Sequence, residues 1–419
     1  AAVVARGMGR PCVTACADLH VDEAAGVVRI GDRELAIGSD ISIDGTSGEV
    51  LLGRLPTQPA TVGGALEVLL GWADDVRRLE VRANADDAAS ATRARELGAR
   101  GIGLCRTEHM FFDESRLPLF VRTILTDDET QERELLEQLS PMLEREFEEM
   151  FEAMDALPVT IRLLDPPLHE FLPDSDEEIE SLAEAAGLTP DAIRQAAEDR
   201  LEHNPMLGLR GVRLSVVAPV VYEQQVRWIA RAMQRRIAAG GDPRPAIMVP
   251  LVMVEAEIAT TRERIEHVLR EELGADASLP EFGTMLEVPS ACLAAERIAA
   301  HADFCSFGTN DLTQLTLGLS RDDATRFLPT YVERGLLPAD PFVHVDEQAV
   351  APLVAMAMAG ARSGRPGIEL GACGEHGGDP QSIAVFDRIG LDYVSCSPPR
   401  VPGARLAGAQ SVLAARADA

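Results

Sequence analysis

Short apolar runs alternate with longer amphipathic stretches along most of the chain. The apolar runs have the length and composition of buried strands, whereas the stretches between them repeat apolar residues at helical spacing. The pattern predicts strands at residues 79–84, 101–105, 159–164, 246–252, 282–288, 303–308, 367–373 and 391–395. Eight strands that alternate with helices predict an α/β fold, a (β/α)8 barrel of the TIM type, with extra helices in the long crossovers at 165–245 and 309–366. A doubly wound open sheet would produce much the same alternation.

Polar side chains at the ends of these strands favour the barrel. They stand at or just after the carboxyl ends of the apolar runs, and they are Arg82, Asn84, Arg106, Arg162, Glu287, Asn310, Asp311, Cys373, Glu375 and Ser397. In a barrel such positions converge on one mouth, whereas in an open sheet they would lie along an edge. The sequence therefore predicts a single site at one end of a barrel.

The chain before the barrel has a different pattern. Residues 1–57 contain short strand-like runs separated by Gly and Asp, which predicts a small and incomplete domain. Residues 58–78 carry helical periodicity and predict a linker helix. The barrel is expected to occupy residues 79–419.

Composition narrows the chemistry. Acidic residues outnumber basic ones 68 to 39, so the net charge of -29 argues against nucleic acid or an anionic membrane surface as partners. All basic residues are Arg, which excludes Schiff-base chemistry and lysine-based phosphate binding. The seven scattered cysteines predict free thiols. With neither a long apolar run nor a signal-peptide pattern, the sequence predicts a cytoplasmic protein.

The segments GTMLEVPSA and FSFGTNDLTQ supply carboxylates and backbone donors. Glu287 ends an apolar run, where an unpaired charge would be costly, and with Asp311 it could hold Mg2+. Chance proximity among many acidic residues would give the same pattern. The backbone of Gly308, Thr309 and Asn310 could turn N–H groups toward a carboxylate, or the segment could be an ordinary polar turn that caps the next helix.

Three arginines lie within or beside apolar runs. They are Arg106 in GLCRTEH, Arg162 in VTIRLL and Arg210 in MLGLRGV. A planar guanidinium in such a setting needs a partner and suits phosphoryl or carboxylate oxygens. Internal ion pairs with the plentiful carboxylates are the alternative. Three such arginines at one mouth favour a phosphorylated substrate.

Cys373 stands between glycines in GACGEHGG, which favours an accessible thiol that could donate or remove a proton at carbon. A small residue at a tight turn is the plainer interpretation. His109 and His376 are interpreted as structural hydrogen-bond partners rather than catalytic groups.

A series of motifs, in order through nearly the whole chain, resembles the carboxy-terminal half of the pyruvate, phosphate dikinases. The longest are GLCRTEHMFF, RLLDPPLHEF, NPMLGLRGVRL and CGEHGGDP. The shorter GTNDLTQ and GTMLEVP are shared with the wider family of phosphoenolpyruvate-utilising enzymes. The resemblance implies a barrel that exchanges a phosphoryl group between a phosphohistidine and the enolate of pyruvate, with pyruvate or phosphoenolpyruvate as substrate.

The resemblance also implies roles for individual residues. Cys373, Arg106 and Arg162 would be catalytic, with Cys373 moving the proton at carbon and the arginines clamping the phosphoryl group. Substrate contacts would come from Arg106, Arg162, Arg210, Glu287, Gly308, Thr309, Asn310 and Asp311. The metal ligands for Mg2+ would be Glu287 and Asp311.

The same resemblance implies partners. Residues 1–57 would be the carboxy-terminal remnant of a swivelling phosphohistidine domain, and the enzyme would be a homodimer. The family's phosphohistidine motif runs into the segment AAVVAR with which this sequence opens, and the ATP-binding half precedes that motif, so we expect no complete dikinase turnover from this chain alone. A phosphoenolpyruvate synthase-like enzyme and a non-catalytic fragment are the alternatives.

Overall fold

The chain divides into two compact units between Leu69 and Leu70. The computed structural model describes residues 12–13, 19–22, 26–31, 33–45, 48–56, 63–113, 115–126, 128–173, 175–202 and 204–417. Cys16, the first five residues of the predicted linker helix and the opening segment AAVVAR lie outside the described residues. The predicted domain boundaries at residues 57 and 78 stay predictions.

Short antiparallel strands make up the described part of the first unit. They are β1 (Leu19–Asp22), β2 (Val27–Ile30), β3 (Arg33–Ala36), β4 (Ile41–Asp44) and β5 (Glu49–Leu52). The first three form one sheet in sequence order, and β4 pairs with β5 in a separate hairpin. Turns with glycine at positive φ, such as Gly31 and Gly48, join neighbouring strands.

Eight parallel strands close into a barrel in the second unit, which confirms the predicted (β/α)8 fold. They are β6 (Glu80–Asn84), β7 (Ile102–Arg106), β8 (Pro158–Arg162), β9 (Arg244–Val249), β10 (Glu281–Met285), β11 (Phe304–Gly308), β12 (Glu369–Cys373) and β13 (Tyr393–Cys396). Each strand pairs with the next along the chain, and β13 pairs with β6 to close the ring. The open sheet is therefore excluded.

Two strands, β9 and β10, end three residues before their predicted ends. The apolar runs at 246–252 and 282–288 continue past the ends of β9 and β10, which stop at Val249 and Met285. Pro250 follows β9 directly and has no N–H for the sheet. Leu251 then adopts a φ of 60°, which no strand residue has. Because β10 ends at Met285, Glu287 lies in a loop beyond this strand rather than inside it.

Helices surround the barrel and fill the long crossovers as predicted. They are α1 (Ala65–Val76), α2 (Ala88–Glu96), α3 (Glu108–Phe111), α4 (Leu117–Ile124), α5 (Glu129–Ala153), α6 (Asp176–Ala186), α7 (Pro190–Arg200), α8 (Val212–Val217), α9 (Pro219–Ala238), α10 (Glu255–Leu273), α11 (Pro289–Leu293), α12 (Ala295–Ala299), α13 (Thr309–Leu317), α14 (Arg321–Ala324), α15 (Leu328–Glu333), α16 (Val350–Gly364), α17 (Pro380–Ile389) and α18 (Val401–Ala417). Side-chain caps start several of them, as Asp87 does for α2 and Asp128 for α5. No helix in the described part of the chain is long and apolar enough to span a membrane.

The barrel is filled by side chains from its own strands. One buried cluster contains Leu104, Ala246, Met248, Met285, Phe304 and Cys373. Gly371 leaves room on β12 for the ring of Tyr393, because a Cβ at position 371 would overlap that ring. The barrel is therefore a packed core that opens only at its ends.

Candidate active site

A cavity of about 260 Å³ opens at the carboxyl ends of the barrel strands. Its lining includes most of the residues that the sequence singled out, namely Arg106, Arg162, Arg210, Gly308, Thr309, Asn310, Asp311 and Cys373. These residues come from β7, β8, the loop before α8, the β11–α13 junction and β12. Barrel closure thus brings together side chains that are up to 267 positions apart in the chain, the separation of Arg106 from Cys373.

Glu287 lies directly behind this lining and is fully buried. Its Oε1 accepts the backbone N–H of Leu251 at 2.7 Å, whereas its Oε2 is buried without a hydrogen-bond partner among the described residues. Gly308 packs against this carboxylate so closely that a Cβ there would overlap Oε2. Burial, followed by the charges of Asp311 and Asp165, raises the pKa of Glu287 well above its ordinary value.

Leu251 contacts the candidate site, and sequence reasoning missed this residue. Its φ of 60° is a left-handed conformation that costs a residue with a Cβ about 1–2 kcal/mol. In this conformation the N–H of Leu251 donates to Glu287, so the strained backbone holds the carboxylate in position. Only the Pro250 that precedes it, at the end of an apolar run, could have signalled a break in the strand.

The polar segment after β11 forms the first turn of α13. Helix α13 begins at Thr309, so Asn310 and Asp311 lie inside its first turn and give no side-chain cap, unlike the capping turn that was the alternative. Thr309 Oγ1 donates to the carbonyl oxygen of Cys373 at 2.9 Å, which ties this turn to β12. Asn310 Oδ1 is buried without a partner among the described residues. Burial raises the pKa of Asp311, although Arg210 lies 3.6 Å from its Oδ1 and acts in the opposite direction.

Two of the cavity arginines share one buried carboxylate. Asp165 Oδ2 lies 2.9 Å from Arg162 Nη1 and 2.6 Å from Arg210 Nη2. Arg162 also pairs with buried Glu108. Burial by itself would raise the pKa of Asp165, but the two guanidinium groups outweigh it and hold the pKa below its usual range. The internal ion pairs that the sequence left as an alternative are therefore present, and the arginines line the cavity as well.

Sequence reasoning did not single out Asp165 and Glu108. Each is an acid next to an apolar run that contains a candidate arginine, in RLLDPP and LCRTEH. That proximity was the available signal, but it could not show which carboxylate pairs with which arginine. Arg106 has a longer ion-pair contact and a more exposed side chain than Arg162 and Arg210. Its Nη1 lies 3.5 Å from Asp86 Oδ2, and its side chain is 27% exposed.

Cys373 ends β12 and points its thiol into this cavity lining while remaining almost fully buried. Its Sγ lies 3.7 Å from the carbonyl oxygen of Phe307. Burial raises the pKa of the thiol to about 11, so the neutral S–H form prevails near neutral pH. Such a thiol is suited to donating a proton rather than to acting as a standing nucleophile.

His376, by contrast, is held away from this chemistry. Its Nε2 donates to the carbonyl oxygen of Pro341 at 2.9 Å, and burial lowers the pKa of the ring. This contact agrees with the structural interpretation of this histidine.

The arrangement as a whole suits an anionic ligand with a divalent cation. Three guanidinium groups line the cavity, and the pKa values of Asp311 in its lining and of Glu287 directly behind it are both raised. Among the described residues, no group of three or more His, Cys, Asp and Glu side chains is placed to hold a metal. A hard cation at Glu287 and Asp311 would thus take its remaining ligands from water or substrate.

Comparisons with known proteins place the chain in a family. The family model described as PEP-utilising enzyme, PEP-binding domain, matches residues 62–412. Pyruvate, phosphate dikinase of Rhizobium meliloti is 48% identical over 99% of this chain and 47% of that protein. Pyruvate, phosphate dikinase of Clostridium symbiosum is 44% identical over 99% of this chain and 48% of that protein. The chloroplastic pyruvate, phosphate dikinase 1 of Arabidopsis thaliana is 48% identical over 99% of this chain and 43% of that protein. The chain thus spans about half the length of these relatives.

A solved structure of a citrate lyase from Burkholderia xenovorans LB400 aligns over 47% of this chain and 60% of that chain, at 19% identity and a TM-score of 0.31. That likeness is too low to bear on function. The family match, in contrast, extends over the whole barrel that carries the cavity. The chain belongs to the PEP-utilising enzymes and contains their PEP-binding domain.

Proposed function

We propose that this barrel carries out the phosphoenolpyruvate/pyruvate half-reaction of pyruvate, phosphate dikinase, in which a phosphoryl group passes between a phosphohistidine and the enolate of pyruvate. The observation that carries the proposal is a single cavity at the carboxyl ends of the strands that gathers three arginines, Asp311 and a thiol, with Glu287 directly behind it. A phosphorylated carboxylic acid that must also exchange a proton at carbon needs each of these groups.

Glu287 and Asp311 would hold Mg2+ in this proposal. The fit is supported by the orphaned Oε2 of Glu287 and by the raised pKa values of both carboxylates, since a divalent cation would supply the missing partner and favour their ionised forms. When bound, Mg2+ would stabilise negative charge on the substrate oxygens. Asp311 lines the cavity and Glu287 lies directly behind the lining, so the cation would lie next to the substrate.

The arginines would bind the phosphoryl group. Asp165 and Glu108 hold Arg162 and Arg210 before any ligand arrives, so little reorganisation is needed when the phosphoryl group enters. The two carboxylates also lower the cost of burying these guanidinium groups, whose pKa values rise despite burial because of their partners. Gly308, Thr309 and Asn310 would seat the carboxylate end of the substrate.

Cys373 would move the proton. In the direction of pyruvate formation its S–H bond breaks and a C–H bond forms at the enolate carbon, which leaves a thiolate. In the reverse direction the thiolate removes a methyl proton from pyruvate and returns to the thiol. The high thiol pKa makes the proton-donating form the resting one, and the guanidinium groups of Arg106 and Arg162 favour the thiolate.

The partners follow from the same proposal. The phosphoryl group would be exchanged with a swivelling phosphohistidine domain, of which residues 1–57 would be the remnant, with residues 58–78 as the linker. A homodimer and a cytoplasmic location remain predictions. Among the relatives, the Arabidopsis thaliana dikinase is described as chloroplastic.

Calorimetry with oxalate, a planar mimic of the pyruvate enolate, tests the proposal. We expect oxalate to bind in the presence of Mg2+ and much more weakly without it, and we expect Asp311→Asn to reduce the affinity by at least about tenfold because a carboxylate ligand is lost. Asp322→Asn makes the same change on an exposed residue of α14 and should leave binding unchanged. No binding of oxalate with Mg2+ would overturn the proposal and favour a non-catalytic fragment.

A further inference from the structure

Arg106 shares its carboxylate partner with a histidine. Asp86, in the loop after β6, accepts the backbone N–H of Arg106 through Oδ1 at 2.7 Å. Its Oδ2 lies 2.7 Å from His109 Nδ1 but 3.5 Å from Arg106 Nη1. The oxygen nearest the guanidinium group is thus engaged more closely by the imidazole than by the arginine.

We propose that His109 and Asp86 form a dyad that positions the Arg106 guanidinium group, and that protonation of His109 releases Arg106 from Asp86 toward the phosphoryl group of the substrate. Asp86 and His109 are positioning residues here, because Arg106 lines the cavity and, among the described side chains, these two do not. The inference rests on the proposed function, since it takes Arg106 as a phosphoryl ligand.

The geometry gives each member a distinct part. Asp86 is largely buried, with a side chain that is 19% exposed, so its charge must be satisfied by its neighbours. His109 is 51% exposed and can exchange protons with water. Arg106 lines the cavity; its backbone N–H is held by Asp86, whereas its guanidinium contact with Asp86 is long. The backbone tether keeps Arg106 in place whichever partner its guanidinium group has.

The charges around His109 set the direction of the switch. The hydrogen bond with Asp86 raises the pKa of His109, burial opposes it, the carboxylates of Asp86 and Glu108 raise it further, and Arg106 lowers it. When His109 is protonated, its charge offsets that of Asp86, so Arg106 loses little by turning to a phosphoryl oxygen. When His109 is neutral, Asp86 keeps its full charge and competes with the ligand for Arg106.

Ligand binding and protonation of His109 should be thermodynamically linked, and this linkage can be measured. A phosphorylated ligand should bind more tightly below the raised pKa of His109 and more weakly above it, and by reciprocity the ligand should raise that pKa. We expect an affinity ratio on the order of tenfold between the two protonation states, which corresponds to a ligand-induced pKa change of about one unit. Oxalate has no phosphoryl group and should show no such step.

The test measures binding of phosphoenolpyruvate with Mg2+ by calorimetry between about pH 6.5 and 9, for the whole chain and two variants. In His109→Gln the hydrogen bond to Asp86 can persist without the charge, so the affinity should stay at the weak, high-pH level throughout. In Asp86→Asn the competing charge is gone, so the affinity should stay at the tight, low-pH level throughout. Because every protein meets the same ligand, titration of the ligand itself cancels in the comparison.

The outcomes separate this inference from the proposed function. If oxalate binds with Mg2+ but the phosphoenolpyruvate profile of His109→Gln keeps the step of the unmodified chain, the dyad has no positioning role. If oxalate does not bind at all, the proposed function fails first. Should a variant fail to fold, an NMR titration of His109 in the unmodified chain remains decisive, since an unchanged imidazole pKa on addition of phosphoenolpyruvate contradicts the inference.

Discussion

Cys373 holds its sulfur among apolar side chains at the base of a charged cavity. Its packing neighbours include Leu104, Met248 and Met285, whereas Arg106 and Arg162 line the same cavity. Burial among these side chains raises the thiol pKa to about 11, while the two arginines draw it down. The residue therefore stays protonated until a substrate arrives, which suits a group that has to move one proton.

Removing this thiol should stop proton transfer without emptying the site. We expect Cys373→Ala to reduce exchange of the pyruvate methyl protons with solvent deuterium by roughly 10²–10⁴-fold, the usual contribution of a general acid or base. Oxalate binding should persist, because no cavity charge is removed. NMR of pyruvate incubated with Mg2+ and the protein measures the exchange.

The control for this change is Cys292→Ala. Cys292 is a buried thiol on α11 and does not belong to the cavity lining, so its loss should leave the exchange rate nearly unchanged. Equal losses in both variants would show that the effect comes from packing rather than from chemistry at residue 373.

The junction of β11 and α13 affects the positions of two carboxylates, those of Glu287 and Asp311. Gly308 ends β11, packs against Glu287 from the loop after β10, and leads directly into the turn that carries Asp311. Any side chain at this position would enter the space of Glu287 Oε2 and Met285. The absence of a side chain at the strand end is thus what allows both acids to approach the cavity.

Gly308→Ala should therefore damage the site more than the fold. The added methyl overlaps side-chain atoms of buried Glu287 and Met285, so we expect a loss of stability of about 1–3 kcal/mol and a fall of at least about tenfold in Mg2+-dependent oxalate affinity. Urea unfolding and calorimetry give the two quantities.

Gly403→Ala is the matched control. Gly403 lies in α18 with open space around the position of a Cβ, and alanine in a helix is favoured over glycine by roughly 0.5–1 kcal/mol. This variant should unfold at equal or higher urea concentration and bind oxalate normally. Normal oxalate binding by Gly308→Ala would contradict the tight packing at that junction.

At the scale of the whole molecule, the proposed Mg2+ would compete with protons for Glu287 and Asp311. The pKa values of Glu287 and Asp311 are raised in the folded chain, so folding takes up protons at these groups. Their contribution to the free energy of unfolding is most favourable below the ordinary carboxyl pKa of about 4, and it is lost as the pH rises through the raised pKa values. Above those values the folded chain retains two repelling carboxylates that a cation would neutralise.

Mg2+ should accordingly stabilise the protein more at high pH. A ligand present at about 100 times its Kd contributes about 2.7 kcal/mol, which for a barrel of this size is a rise in Tm of a few degrees. We expect that rise at pH 8 and a smaller one at pH 5.5, where protons compete for the carboxylates. Thermal unfolding followed by circular dichroism measures both.

Asp311→Asn is the comparison for this measurement, with an equal ionic strength of NaCl as the salt control. The variant should lose most of the Mg2+-dependent rise at pH 8. A rise that is the same in the variant, or that NaCl reproduces, would mean that the cation acts on the general negative charge of the chain rather than at this site.

Much of the candidate site could be predicted because strand ends can be recognised locally. Arg106, Arg162 and Cys373 each follow or end an apolar run, and in a barrel that position is enough to place a residue at the mouth. The partners could not be predicted in the same way. Asp165 stands next to the apolar run that contains Arg162, but it is 45 positions from Arg210, and the local pattern cannot show that it pairs with both.

The sequence by itself determined the alternation of strands and helices, the barrel class and most of the residues at the strand ends, because these depend on short-range periodicity and on the order of elements. The prediction for Arg82 was wrong, since its guanidinium group pairs with Glu369 at the amino end of β12. Only the tertiary structure decided which carboxylate holds which arginine, that Leu251 turns its N–H to Glu287, and that Cys373 is a buried, protonated thiol. Those features arise when the closed barrel brings distant segments within a few ångströms and removes them from water, and both distance and desolvation are properties of the fold as a whole.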